Sequence, residues 1–159
     1  MVNEIYDLFN RLETDRLEIV PRLSNRRANE LLEEIQDDAS ISNFNLSNLS
    51  IDELVEDFRL GIDRYAIFLK NQYELIGLLS LDVSDNNDAC MIAYYILPKF
   101  RRKGYAFEML TKVCEELESK IIKAIPLKDN ESSIKLLQKL DFKPKFEDEG
   151  KLIFEKSKK

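Results

Sequence analysis

Three consecutive cations and a glycine stand where an apolar segment meets an amphipathic one. The apolar residues 91–97 stop at Pro98, and Arg101-Arg102-Lys103-Gly104 then leads into helical spacing that begins at Tyr105. The first N–H groups of a helix have no partner within the helix, and the helix dipole adds partial positive charge at the same end. A strand, a basic glycine turn and a helix start therefore predict a phosphate-binding site. The plain alternative is a solvated basic corner.

The residue types that are missing restrict the chemistry. The chain has no histidine and two cysteines, Cys90 and Cys114. Histidine-based triads and histidine-ligated metals are therefore excluded, and two cysteines are too few for a zinc site or a disulfide framework. We expect no metal, and both cysteines as buried apolar side chains in a reducing compartment. Any proton transfer must use a carboxylate, tyrosine, serine, lysine, cysteine or water.

Composition favours one soluble globular domain. The chain has 159 residues, of which 44% are hydrophobic and 34% charged, enough to build a core. Its net charge of −6 argues against a general nucleic-acid binder, which needs a basic face. No apolar run reaches the roughly 20 residues of a membrane helix, and the N-terminus lacks the pattern of a signal peptide. We therefore predict a cytoplasmic protein that binds neither membranes nor nucleic acid.

The elements that must position the basic turn follow from hydrophobic periodicity. They are a short helix (1–13), a strand (14–21), two helices (from 24 and from 50) around a polar loop (37–48), three antiparallel strands (65–70, 73–83 and 90–97), a helix from 105, a strand (121–127), a helix from 130, and a closing hairpin (142–147 and 151–155). The helix between the fourth and fifth strands makes those two strands parallel. Residues 156–159 are predicted to be a disordered tail.

Three segments resemble motifs of the GCN5-related N-acetyltransferase (GNAT) family. Residues 101–106, Arg-Arg-Lys-Gly-Tyr-Ala, are similar to its acetyl-CoA loop, Gln/Arg-x-x-Gly-x-Gly/Ala. Residues 130–142 resemble its later N-x-x-S/A…G-F segment, with Asp141 in place of the usual glycine, and residues 14–17, Thr-Asp-Arg-Leu, resemble its T-x-R-L opening. In order and spacing these motifs cover about residues 14–155. They are most similar to the branch that acetylates ribosomal-protein N-termini.

The resemblance implies a single α/β domain over 14–155, after the helical extension 1–13. Its twisted, mixed and mostly antiparallel sheet would have about seven strands, splayed between the fourth and fifth, and about four flanking helices. Acetyl-CoA, the implied cosubstrate, would enter that gap. The backbone of Ile96 and Leu97 would pair with its pantetheine arm, as an added strand does.

The same resemblance assigns the phosphate end of the cofactor to the basic turn. The amides of residues 102–106 would hold the pyrophosphate, and Arg101 or Lys103 would reach the phosphates with charge. Asn130 would either contact the pantetheine or cap its own helix. The implied cofactor-binding residues are Ile96, Leu97, Arg101, Arg102, Lys103, Gly104, Tyr105, Ala106, Asn130 and Ser133.

The acid–base positions depart from the family pattern. Many relatives carry a glutamate on the fourth strand where this chain has Met91, and a tyrosine on the last helix where it has Leu137. With these two positions changed, the resemblance gives Ser133 two alternative roles. It is either a donor to the CoA thiolate or a hydroxyl that hydrogen-bonds to backbone at the start of its helix. The general base stays unassigned.

Three further side chains are weighed for catalysis. Tyr94 and Tyr95 point to opposite faces of their strand, so one can line the cleft while the other packs. Glu147 is either a base or a solvated charge at a sheet edge. The candidate catalytic residues are therefore Ser133, Tyr94 and Glu147.

The resemblance implies an enzyme that transfers acetyl from acetyl-CoA to a primary amine by direct attack in a ternary complex. The amine would belong to a protein N-terminus or to a small molecule, and the sequence does not choose between them. The alternative is a CoA-binding regulatory or interaction module without catalysis, which Met91 and Leu137 favour. A purely structural domain would leave the basic glycine turn unexplained. The helix 1–13 is a candidate dimer element.

Overall fold

The computed structural model describes residues 7–35, 50–126, 130–149 and 151–158. In these residues the chain forms an eight-stranded sheet and four α-helices, and from residue 17 onwards the elements follow the order that periodicity predicts. The elements are β1 (Leu12–Glu13), β2 (Leu17–Pro21), α1 (Asn25–Ile35), α2 (Ile51–Leu60), β3 (Arg64–Leu69), β4 (Glu74–Val83), β5 (Ala89–Ile96), a 3-10 turn (Pro98–Phe100), α3 (Tyr105–Glu116), β6 (Ile121–Ala124), α4 (Glu131–Lys139), β7 (Lys143–Asp148) and β8 (Lys151–Ser157). The predicted loop 37–48 lies outside the described residues.

The sheet is mixed and mostly antiparallel, as predicted. Its strands lie in the order β1-β2-β3-β4-β5-β6-β8-β7. Helix α3 crosses between β5 and β6, and these two strands pair in parallel, whereas the other neighbouring pairs are antiparallel. Strands β5 and β6 are the one parallel pair among the described strands, and the cleft described below lies beside this pair.

Strands β5 and β6 stay together over only half the length of β5. Their pairing runs from Ala89 opposite Ile121 to Ile92 opposite Ala124, where β6 ends. Strand β5 continues to Ile96, and over residues 93–96 no described strand pairs with it on this side. The sheet therefore splays between the fourth and fifth strands that the sequence predicted, which are β5 and β6 once β1 is counted.

The N-terminal segment differs from its prediction. Residues 7–11 are irregular, and Leu12–Glu13 forms strand β1 beside β2, so the predicted helix over 1–13 is wrong in its described part. The amide of Leu8 donates to Asp63 Oδ1 at 2.6 Å, and the amide of Phe9 donates to Tyr65 Oη at 3.0 Å. These tertiary partners replace the hydrogen bonds that a helix would supply, and β1 makes eight strands rather than about seven.

The C-terminal segment is more ordered than predicted. Strand β8 runs to Ser157, which lies opposite Ile121 of β6, so the prediction of a disordered tail is wrong for residues 156 and 157. The Lys156 ammonium also donates to the carbonyl of Leu140 at 2.7 Å. The tail is ordered because β6 pairs with β5 on one side only, and its backbone N–H and C=O groups on the other side need hydrogen-bond partners, which β8 supplies.

The core lies between the sheet and the helices that pack on it, and it contains both cysteines. Leu110 and Val113 are fully buried on α3, and Cys90 and Cys114 are 0% and 5% exposed. Burial raises the pKa of the Cys90 thiol to about 12 and that of the Cys114 thiol to about 11. The prediction of buried, apolar cysteines is confirmed. Among the described helices, none has the length and apolar character needed to cross a membrane.

Candidate active site

A cleft of about 560 Å³ opens where β5 and β6 diverge. Its walls are the second half of β5, the basic turn with the start of α3, the residues after β6, and one side of α4. Of the predicted cofactor residues, the cleft is lined by Ile96, Arg101, Arg102, Gly104, Tyr105, Ala106, Asn130 and Ser133, and Tyr94 lines it as well. Leu97, Lys103 and Glu147 lie outside this lining.

The basic turn is shaped to expose amides at the start of α3. Gly104 is the N-cap of α3 and has φ of 82°, a left-handed conformation that glycine adopts without steric cost. Arg102 is also left-handed, with φ of 63°. Because Gly104 has no side chain, no N-cap hydrogen bond occupies the first-turn amides of α3, and the residues that carry these amides line the cleft. This geometry suits an anion.

The cations of the turn have different roles. Arg101 turns inward, where its Nε donates to the carbonyl of Ile96 at 2.7 Å and its guanidinium lies 5.3 Å from the centre of the Tyr95 ring. It therefore braces the end of β5 against the turn. Arg102 is exposed at the cleft wall, and Lys103 is exposed outside it.

The backbone of β5 offers polar groups to the gap. The Leu97 amide donates to the carbonyl of Ile76 on β4 at 2.8 Å. Antiparallel strands alternate residues that face the partner strand with residues that face away from it. With the register of β4 and β5, Tyr94 and Ile96 thus direct their backbone groups away from β4, into the gap that β6 has left. The Leu97 N–H is committed to the sheet, and the Ile96 carbonyl accepts from Arg101.

Two hydroxyl groups in the cleft lining contact each other, one from β5 and the other from α4. Tyr94 Oη and Ser133 Oγ lie 2.7 Å apart, at hydrogen-bond distance. Ser133 is in the first turn of α4, and its amide donates to the Oδ1 of Asn130 at 3.3 Å, so Asn130 caps this helix. Burial raises the pKa of Tyr94 to about 12, and the bond to Ser133 opposes part of that rise. The phenol therefore stays protonated at neutral pH and can donate.

No carboxylate stands among the described residues that line the cleft. Met91 lies opposite Asp82 in the sheet, and Leu137 is completely buried in the cleft wall. Glu147 is exposed on β7, the outermost strand on its side of the sheet. The structure brings Tyr94 and Ser133 together but does not bring Glu147 to them.

Comparison with known proteins decides the family. A family model described as an acetyltransferase (GNAT) domain matches residues 16–143. The chain belongs to the GNAT family. The uncharacterized N-acetyltransferase YoaA of Bacillus subtilis (strain 168) is 29% identical over 150 residues, which cover 85% of this chain and 84% of YoaA.

Solved GNAT structures share the fold at low sequence identity. A GNAT-family acetyltransferase from Bacillus anthracis superimposes with a TM-score of 0.79 at 14% identity, covering 92% of this chain and 98% of that one. The microcin C7 self-immunity acetyltransferase MccE, in complex with acetyl-CoA and AMP, has a TM-score of 0.70 at 17% identity, covering 91% and 93%. A Vibrio cholerae chain assigned by name as a ribosomal-protein-serine acetyltransferase has a TM-score of 0.75 at 18% identity. The match covers 96% of this chain and 100% of that one.

Because the chain belongs to the GNAT family, it is an acetyltransferase, and its cosubstrate is acetyl-CoA, as in the rest of the family. The cleft fits that molecule in three respects. It presents α3 amides beside Arg102 for phosphate, strand backbone at Tyr94 and Ile96 for amide groups, and an apolar wall that includes Leu137.

Among the lining residues that were not predicted from the sequence of this GNAT chain, one carries a charge. Lys139, in the last turn of α4, lines the cleft, and its Nζ lies 4.3 Å from the centre of the Phe107 ring on α3. It follows Ser132 by seven residues, which is two helical turns. Helical periodicity from the predicted serine segment would have placed it on the same side of α4.

Proposed function

We propose that this protein transfers the acetyl group of acetyl-CoA to a primary amine by direct attack in a ternary complex. The observation that carries the proposal is the Tyr94–Ser133 hydroxyl pair, 2.7 Å apart in the cleft where the sheet splays. It supplies a protonated donor in a site that has strand amides on one side and a helix N-terminus on the other. Acetyl-CoA, when bound, supplies an activated acetyl group as a thioester.

The polarity of the cleft orients the cosubstrate. Helix α4 places Ser133 beside Tyr94 in its first turn and Lys139 beside Phe107 of α3 in its last turn. The two hydroxyls therefore lie where α4 begins, the Lys139 cation lies where it ends, and the Arg102 cation lies before α3 in the same lining. We infer that the pantetheine arm lies along the gap at Tyr94 and Ile96, that the first-turn amides of α3 hold the pyrophosphate, and that Lys139 attracts the phosphates of the adenosine end.

The strand amides in the gap polarise the acyl group. An N–H of β5, at Tyr94 or Ile96, points into the gap, where it can donate to the thioester carbonyl oxygen. The charge on that oxygen grows as the amine attacks the carbonyl carbon, so a fixed donor stabilises the transition state more than the ground state.

The hydroxyl pair serves the leaving group. When the carbon–sulfur bond breaks, Ser133 donates its proton to the departing thiolate, and Tyr94 returns a proton to Ser133 across the 2.7 Å hydrogen bond. Tyr94 is then reprotonated from solvent. The attacking amine loses its own proton to water, because no carboxylate stands among the described lining residues.

The acceptor class follows from the reaction and from charge. Direct attack requires a neutral primary amine held against the acyl carbon. The net charge of −6 favours the approach of molecules that are cationic before they lose a proton. Protein N-termini and small-molecule amines both meet these requirements.

A second candidate function is a CoA-binding module without catalysis. The same lack of a carboxylate in the described lining favours it. Acetyl-CoA would then bind at the turn and at β5, and no amine would be acetylated.

Calorimetric titration with acetyl-CoA, followed by CoA release with a panel of primary amines and peptide N-termini, tests both candidates. We expect micromolar-range binding and turnover with at least one amine, lowered in Ser133→Ala. Tyr73→Phe is the matched control, because Tyr73 is 70% exposed and outside the cleft lining. Binding without turnover on a broad panel would favour the module, and absence of binding would overturn both candidates.

A further inference from the structure

The segment Thr14-Asp15-Arg16-Leu17 contacts the start of α3, which lies about 90 residues further along the chain. Arg16 Nε and Glu108 Oε1 are 2.7 Å apart, and the Arg16 amide donates to Glu108 Oε2 at 2.9 Å. The hydroxyl of Thr14 donates to the same carboxylate oxygen. Both oxygens of Glu108, in the first turn of α3, are thus occupied by this segment.

The same arginine reaches the turn that precedes α3. Arg16 Nη1 donates to the carbonyl of Lys103 at 3.0 Å, and the guanidinium lies 4.5 Å from the centre of the Tyr105 ring. One side chain therefore holds the residues on both sides of Gly104. A Cβ at position 104 would come within 3.4 Å of Arg16 Nη2, so the glycine and the arginine fit closely.

Local hydrogen bonds fix the segment that carries the arginine. Thr14 Oγ1 accepts from the Leu17 amide at 3.0 Å, and the Thr14 amide donates to the Leu17 carbonyl at 3.0 Å. Leu17 is completely buried. The threonine and the leucine therefore anchor a short turn whose arginine projects towards α3.

The carboxylate of Glu108 creates an electrostatic problem at an anion site. A negative charge in the first turn stabilises a helix, but it also repels a phosphate that binds to the same helix end. Partial burial acts to raise the pKa of Glu108, but the hydrogen bond from Thr14 and the hydrogen bonds and charge of Arg16 together lower it. Arg16 thus pairs with the carboxylate charge. The pairing removes the net negative charge from the start of α3.

We propose that Arg16, Glu108 and Thr14 are positioning residues for the pyrophosphate of acetyl-CoA. They fix the turn at Gly104 and neutralise the carboxylate beside it, without contacting the cosubstrate themselves. This inference rests on the proposed binding of acetyl-CoA at the start of α3. It gives the Thr-x-Arg-Leu segment, which joins β1 to β2, a function that the connection between these strands does not require.

The charge relation predicts a rescue that a purely structural role does not. In Arg16→Gln the carboxylate of Glu108 is left uncompensated beside the phosphates, so the Kd for acetyl-CoA should rise about tenfold, as for a lost charged hydrogen bond. In the double variant Arg16→Gln/Glu108→Gln the repelling charge is gone, and acetyl-CoA should bind more tightly than to Arg16→Gln alone. Arg16→Lys, which keeps the charge but not the branched contacts, should be intermediate.

Calorimetric titration of the full chain with acetyl-CoA at low and high salt measures the Kd of each variant. Melting temperatures establish that each variant is folded. The kcat at saturating acetyl-CoA should change little, while its KM rises. Arg26→Gln is the matched control, since Arg26 is 83% exposed and pairs with Glu30 on α1. Unchanged binding in Arg16→Gln, or a double variant that binds no better than Arg16→Gln, would overturn the inference. If the wild-type chain itself fails to bind acetyl-CoA, the proposed function fails instead.

Discussion

The hydroxyl oxygens of Tyr94 and Ser133 lie 2.7 Å apart and join the end of β5 to the first turn of α4. Each hydroxyl can donate and accept, so a proton that leaves Ser133 can be replaced from Tyr94. Many GNAT relatives carry a tyrosine on the last helix, at the position of the buried Leu137. In this chain a tyrosine reaches the same helix from the neighbouring strand.

Removal of either hydroxyl should lower kcat with little effect on the KM for acetyl-CoA. We expect a loss of about 100-fold in Ser133→Ala, at the low end for a general acid, and a smaller loss in Tyr94→Phe, because water can reprotonate the serine. The double variant should be no slower than Ser133→Ala, since both groups act in one path. Steady-state rates of CoA release check this. An unchanged kcat in Tyr94→Phe would rule out the tyrosine as a proton source.

The raised pKa of Tyr94 predicts lower stability at high pH. Its pKa is about 12 in the folded protein and 10.0 in the ordinary, exposed state, so between these values the native state holds a proton that the unfolded state has lost. The contribution of this group to the free energy of unfolding is therefore fully present below about pH 10. As the pH rises towards about 12, about 2 kcal/mol of it is lost.

Urea unfolding at pH 8 to 11 measures this dependence. Burial raises the pKa of Tyr65 as well, so the informative quantity is the difference in slope between the wild-type chain and Tyr94→Phe. We expect the variant to lose less stability with rising pH. If the free energy of unfolding fell with pH at the same rate in the wild-type chain and in Tyr94→Phe, the fold would not protect the Tyr94 phenol from titration.

The fold was largely predictable because its elements follow local patterns. The apolar run of β5 and the helical spacing of α3 are both readable within a dozen residues. The splay between the fourth and fifth predicted strands was implied by the resemblance to the GNAT family. The N-terminal segment was not readable in this way. Its amides at Leu8 and Phe9 bind Asp63 and Tyr65, which lie 55 and 56 residues further along the chain.

The site was predictable in type but not in arrangement. The basic turn indicated phosphate, yet Arg101 binds the Ile96 carbonyl, a choice that depends on the position of the end of β5. Tyr94 is the candidate named from the sequence, but alternation alone says only that Tyr94 and Tyr95 lie on opposite faces of β5, not which face lines the cleft. The choice depends on which face α4 covers, and Ser133 identifies that face.

Neither cysteine should react with a thiol reagent in the native protein. The thiolate is the reactive form, and burial raises the pKa of Cys90 to about 12 and of Cys114 to about 11. We expect labelling near zero in native buffer and two equivalents in denaturant, since the chain has two cysteines. Rapid native labelling would show that this part of the core opens readily. Slow labelling also means that CoA release can be followed by thiol chemistry without background from the enzyme.

Lys139 should make binding sensitive to the phosphates at the adenosine end of the cosubstrate. Lys139 is exposed, lines the cleft, and has its ammonium nitrogen 4.3 Å from the centre of the Phe107 ring. A single exposed ion pair is worth up to about 1 kcal/mol, so acetyl-CoA should bind up to about fivefold more tightly than acetyl-dephospho-CoA at low salt. In Lys139→Gln this preference should fall towards one, mainly through weaker binding of acetyl-CoA.

Paired titrations of wild type, Lys139→Gln and the control Lys143→Gln with both ligands measure the preference. Lys143 is exposed on β7 and lies outside the cleft lining, so its variant carries the same loss of charge without the contact. Because exposed charges are screened over roughly 10 Å at 0.1 M salt, the preference should also shrink as salt is added. An equal preference in Lys139→Gln and in wild type would place the terminal phosphate away from α4. An equal loss in Lys143→Gln would assign the effect to the net charge of the protein rather than to the cleft.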